Sequence, residues 1–140
     1  MHDRAINYLT RGKQLEADVN FAEEQLEGLY TIATKCTGSL NPTAGVSTSK
    51  EDHSNEQIMI EIVSQKEKIE KLKSDYIQGM NEVTALIESI RSPLHRRLLN
   101  YRYITGLKWP AIEDKLCYSH SHTMNLHRQA LQMVEDKLAA

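Results

Sequence analysis

The residues best equipped for chemistry lie in WPAIEDKLCYSHSHTMNLHRQALQMV, Trp109 to Val134. Cys117, His120, His122 and His127 are zinc-ligand types. A structural zinc needs four convergent donors. On one helix His120 and His127 share a side but stand about 10 Å apart along the axis, too far for one ion. Cys117 falls in a turn, so neither a metal nor any other cofactor is expected. No Ser/His/Asp arrangement, Gly-rich phosphate loop or convergent carboxylate pair occurs, so enzymatic activity is not expected either. The remaining chemistry is base reading. Ser121, Asn125, Arg128 and Gln132 recur at helical spacing, flanked by His120, His122 and Gln129. Arg can donate two hydrogen bonds to guanine, and Asn or Gln can pair with adenine in the major groove. Arg96, Arg97, Arg102 and Lys108 are suited to phosphate contacts, which position a protein without reading sequence.

Such a face needs a small scaffold behind it. Pro93 after Ser92 starts a helix that reaches about Ile104. Thr105–Lys108 reads as a turn, and Pro110 starts a short helix ending near Leu116. Cys117–Ser119 is a tight connection, with Ser119 capping a last helix that runs to about Leu138. Three helices with a three-residue break before the last fit a helix-turn-helix. Its core is expected from Leu98, Leu99, Tyr101 and Tyr103, then Trp109, Ile112 and Leu116, then Thr123, Leu126, Ala130 and Val134. Tyr118 is expected to plug the turn.

Upstream, Tyr8, Gly12, Leu15, Val19, Ala22, Leu26, Leu29 and Ala33 step by fours and threes, a heptad seam on a helix over residues 3 to about 36. Gly12 weakens it early. A second long helix from about Asn55 to Ile90 carries Ile62, Ile69, Tyr76, Met80, Val83, Ile87 and Ile90, with Lys66 interrupting. Met59, Ile60, Val63, Ile77 and Leu86 lie off that seam and exceed what one partner helix can cover, which points to self-association. Between the helices, residues 37–54 are rich in Gly, Ser and Thr and read as a mobile loop. The fold expected is all-α. A helical hairpin over residues 1–90 mediates oligomerisation, and residues 91–140 form the helix-turn-helix domain.

Charge supports this division. Residues 1–90 hold 9 Lys/Arg against 15 Asp/Glu, and residues 91–140 hold 8 against 4, so the net −2 separates into −6 and +4. The basic end suits an anionic partner. Cys36 and Cys117 form no CxxC pair and read as reduced thiols. The N-terminal MHDRAINYLTRGK lacks the apolar core of a signal peptide. No run of about 18 apolar residues is present, so no membrane span is expected.

The segment SPLHRRLLNYRYITGLKWPAIEDKLCYSHSHTMNLHRQAL resembles region four of bacterial sigma factors. It is more closely similar to a phage and prophage family of Gram-positive bacteria related to ArpU- and RinA-type late transcriptional regulators. That family's W-x-x-I helix, Y-S turn and L-H-x-x-A-L motif correspond to Trp109/Ile112, Tyr118/Ser119 and Leu126/His127/Ala130/Leu131. Glu113, Cys117 and Thr123 depart from its usual Ala, Gly and Val. The resemblance implies a sequence-specific regulator that binds double-stranded DNA in the bacterial host's cytoplasm. Two alternatives stand beside it. One is a DNA-packaging component like a small terminase subunit, distinguished by a ring of many copies. The other is an interaction module for RNA polymerase or a host factor, distinguished by polymerase capture without DNA binding.

Overall fold

The computed structural model describes residues 2–38 and 48–140, with side chains over 2–35 and 55–140. Every regular element among the described residues is helical, with no strand. Helix α1 spans Asp3–Gly38, α2 Thr48–Glu88, α3 Pro93–Leu99, α4 Trp109–Leu116 and α5 His120–Ala139. Helix α3 passes directly into a π-helical turn, Asn100–Ile104.

The connection between the long helices is shorter than the expected 37–54. Residues 48–54 are already helical. They contain neither Gly nor Pro, so their backbone has no local reason to break the helix. The expected mobility falls largely on 39–47, outside the described residues.

The chain divides into two compact units, Met1–Gln14 with Ile77–Ala140, and Leu15–Tyr76. Within the second, α1 and α2 run antiparallel with Val19, Ala22, Ile62 and Ile69 buried along their seam. The seam passes through Gln65 and not Lys66. A heptad stripe steps by three and then four, and Gln65 takes the step between Ile62 and Ile69. Its amide donates to the Ala22 carbonyl at 2.9 Å and to Gln25 Oε1 at 3.3 Å, so its polar end is satisfied. Lys66 sits outside, with Nζ 5.7 Å from the Tyr30 ring centroid.

In the first unit, Ala5, Leu9, Val83, Ile87, Ile90, Leu98, Leu99, Leu126, Ala130, Leu131 and Val134 form one cluster. Burying each large aliphatic side chain contributes roughly 1.5–3 kcal/mol. Ile112 and Thr123 are also fully buried. Of the expected helix-turn-helix core, Tyr101, Tyr103, Trp109 and Leu116 are only half-buried. The start of α1 is held by α5, because the Ala5 N–H donates to Glu135 Oε1 at 2.8 Å. A carboxylate among the unsatisfied N–H groups of a helix start is favourable. Gly12 is more than a weak point in the seam. A Cβ there would collide with the Met80 thioether, so glycine permits the helices' close approach.

Candidate nucleic-acid interface

A three-residue connection between α4 and α5 requires one abrupt backbone reversal. Cys117 supplies it with φ 59° and ψ 40°, a left-handed conformation. Its N–H and that of Tyr118 both reach the Glu113 carbonyl. For a residue with a Cβ this conformation costs about 1–2 kcal/mol, which is why glycine is usual there. Ser119 then returns to extended backbone, and its hydroxyl accepts from the His122 N–H at 3.2 Å. The Thr123 hydroxyl donates to the Ser119 carbonyl at 2.8 Å. The polar atom that distinguishes Thr123 from Val is therefore satisfied, and its burial leaves no orphan.

The outward side of α5 begins with His120, whose Nδ1 lies 2.5 Å from Glu113 Oε1. Glu113 thus holds the first residue of α5 against α4. Ser121 is exposed. His122 is exposed and stacks on Tyr118, with centroids 4.3 Å apart and planes 11° apart. Tyr118 therefore does not plug the turn. It lies 37% exposed on the outside, because the left-handed Cys117 has already turned the chain and Ile112 and Thr123 fill the interior. Asn125 and Arg128 are exposed and joined to each other by an Arg128 Nη2 to Asn125 Oδ1 hydrogen bond.

The second half of that face is occupied differently. Gln129 Oε1 lies 2.9 Å from His95 Nε2. His95 is itself held by Ser92, so Gln129 links α5 to α3. Gln132 donates to Asp136 at 3.0 Å, and its oxygen lies 3.2 Å from His2 Nε2. Both glutamines are thus engaged with the protein, although exposed.

The four candidate phosphate contacts also separate. Arg96 is turned inward, donating to the Ile90 carbonyl at 2.7 Å and to that of Arg91 at 3.4 Å. It satisfies carbonyls of the connection between α2 and α3. Arg102 donates to the Leu107 carbonyl at 3.1 Å and lies 4.6 Å above the Trp109 ring. The π-helical turn aims it there. Arg97 and Lys108 are exposed and make no side-chain hydrogen bond or ion pair among the described residues.

His127 belongs to the interior side. Its Nε2 lies 2.8 Å from the Tyr103 hydroxyl, and its ring meets Trp109 edge-on at 4.6 Å. Burial first, then the charges of Arg102 and His2, lower its pKa from 6.5 to about 4. Burial also pushes the Tyr103 hydroxyl up, against the opposing influence of Arg102. The unfolded chain therefore binds a proton at His127 over the window from 6.5 down to about 4 that the folded chain does not. Stability from this site is complete above that window and lost as pH falls through it. After discounting for solvent at a half-buried ring, the loss should be on the order of 1–2 kcal/mol. Thermal unfolding across that pH range, set beside His127→Gln, checks this. The variant should show the shallower decline, and parallel declines would show that His127 is not the group responsible.

No three His, Cys, Asp or Glu residues converge as a metal site among the described residues. No described helix is long and apolar enough to cross a membrane. The outward set left by the structure is His122, Ser121, Asn125, Arg128 and Tyr118, with His120 exposed beside Glu113. Sequence reasoning missed Tyr118 as a surface group, because a tyrosine in a turn reads equally well as a plug.

No curated protein matches the chain, and no solved structure matches it. A family model described as "Protein of unknown function (DUF1492)" matches residues 43–135. That span takes in all of α2, the whole α4–α5 turn and all of the outward set, and the chain belongs to this family.

Proposed function

We propose that this protein is a sequence-specific DNA-binding transcription regulator of phage or prophage type, with the start of α5 in the major groove. The observation that carries the reading is the exposed run Ser121, His122, Asn125 and Arg128 in the first turns of α5, directly after a rigid three-residue turn. Recognition helices present base-reading residues from their N-terminal portion. Gln129 and Gln132 lie further along and are already engaged, so the reading set is concentrated where a groove would receive it. Arg97 and Lys108 serve as phosphate contacts, while Arg96 and Arg102 serve the fold. The +4 charge of residues 91–140 favours the same partner. The likeness to sigma region four and to the ArpU- and RinA-type regulators supports the regulatory role. No catalytic role is proposed.

The Leu15–Tyr76 unit provides self-association. Phe21, Tyr30, Ile32, Met59, Ile60 and Val63 are large apolar residues left 43–62% exposed on it. They are apolar surface beyond what the seam of the hairpin buries, which supports an interaction role for this unit. A two-fold dimer would present two recognition helices to two half-sites. Selection of bound fragments from a random double-stranded pool tests the function. A palindromic or repeated motif is expected, with half-sites about one helical turn apart or a multiple of it. Recovery of sequences no different from the starting pool would overturn the reading.

A further inference from the structure

Two histidines occupy the first turn of α5, and the structure treats them differently. His120 is drawn back onto α4 by the Glu113 carboxylate, 2.5 Å from its Nδ1. The His122 ring has no hydrogen-bond partner among the described residues, and its only ring contact among them is the parallel stack on Tyr118. Both residues of that stack are fixed at the backbone. The Tyr118 N–H is bound to the Glu113 carbonyl at 3.2 Å, and the His122 N–H to the Ser119 hydroxyl at the same distance. Tyr118 covers one face of the imidazole and leaves its edge open.

We propose that Tyr118 is a positioning residue for base reading. By stacking on His122 it holds the imidazole edge outward, so that a ring N–H donates to N7 of a purine in the major groove. This rests on the DNA-binding reading above and adds to it a particular residue pair and a base class. At the groove place where a purine presents its N7 acceptor, a pyrimidine presents C5 with a hydrogen or a methyl group. An imidazole donor held at that place therefore favours a purine, the thymine O4 acceptor lying elsewhere in the groove. An exposed histidine alone would sample several rotamers. A stacked ring pair favours one of them by about two- to tenfold. The discrimination gained by fixing the ring should be of that size.

Site selection followed by binding measurements on the selected duplex, with each position permuted, tests the proposal. Four proteins are compared: the parent chain, His122→Ala, Tyr118→Ala and Tyr118→Phe. The parent should prefer a purine at one position of each half-site, and His122→Ala should lose that preference. Tyr118→Ala should reduce it by about two- to tenfold. Tyr118→Phe keeps the ring and should restore it. The salt dependence of binding should be the same for all four, because no phosphate contact changes. Tyr118 is on the surface, so none of these variants removes a core side chain, and circular dichroism should report unchanged helix content. An unchanged purine preference in Tyr118→Ala would overturn the proposal. So would Tyr118→Phe behaving like Tyr118→Ala, which would assign the effect to the hydroxyl, or a shallower salt slope in Tyr118→Ala, which would make it a phosphate contact. In each of those cases the parent still selects a motif and the DNA-binding reading stands. A parent chain that selects no motif overturns both.

Discussion

Truncating Ile112 to alanine should lower unfolding stability by about 2–5 kcal/mol, the range for deleting most of a fully buried aliphatic side chain. Ile112 is 0% exposed and is the one buried residue of α4. Trp109 and Leu116 flank it half-buried, and how far they move into the space decides where in that range the loss falls. A helix of eight residues has little stability of its own and depends on that packing. The consequence extends to the turn, because Glu113, next in sequence, supplies both the carbonyl that receives Cys117 and Tyr118 and the carboxylate that holds His120. Denaturant unfolding of Ile112→Ala beside a surface control, Asp114→Ala, measures the effect. Equal midpoints for the two variants would show that α4 is held by other contacts.

Arg128→Ala should weaken binding to the selected site by about 1–3 kcal/mol and relax choice at one base pair. The Asn125 carboxamide engages one guanidinium nitrogen of Arg128, which orients the group while leaving further donors for a guanine edge. Arg97 offers the contrast. It is exposed on α3 with no side-chain partner among the described residues, which suits it to a proposed phosphate contact. Arg97→Ala should weaken all sequences alike and reduce the salt slope by about one counterion. Binding of specific and scrambled duplexes over a range of salt separates the two roles. If Arg128→Ala lowers specific and scrambled binding by equal factors with the fold intact, Arg128 does not read bases.

The parts of this protein that were legible in its sequence are those encoded by nearby residues. Ser92 before Pro93 and Ser119 before His120 mark helix starts, and both serine hydroxyls accept the expected N–H group. The helical period of Thr123, Leu126, Ala130 and Val134 predicts a buried stripe, and all four are buried. The opposite polar face follows from the same period. These features depend on spacings of a few residues, which a helix converts directly into faces.

Part of what only the tertiary structure decided involves partners far apart in the chain. Leu9 and Ala5 enter the C-terminal core, and Glu135 caps a helix start 130 residues earlier. No local spacing records such a pairing. The arginines were decided over shorter spans, by the path of the backbone. Arg96 and Arg97 are adjacent and chemically identical, yet Arg96 donates to the Ile90 and Arg91 carbonyls of the α2–α3 connection while Arg97 is exposed. A guanidinium satisfies a backbone carbonyl as well as a phosphate, so only the path of the α2–α3 connection assigns it. Tyr118 was decided in the same way. Its neighbours allow either a plug or a surface ring, and it was the filling of the interior by Ile112 and Thr123 that placed it outside against His122.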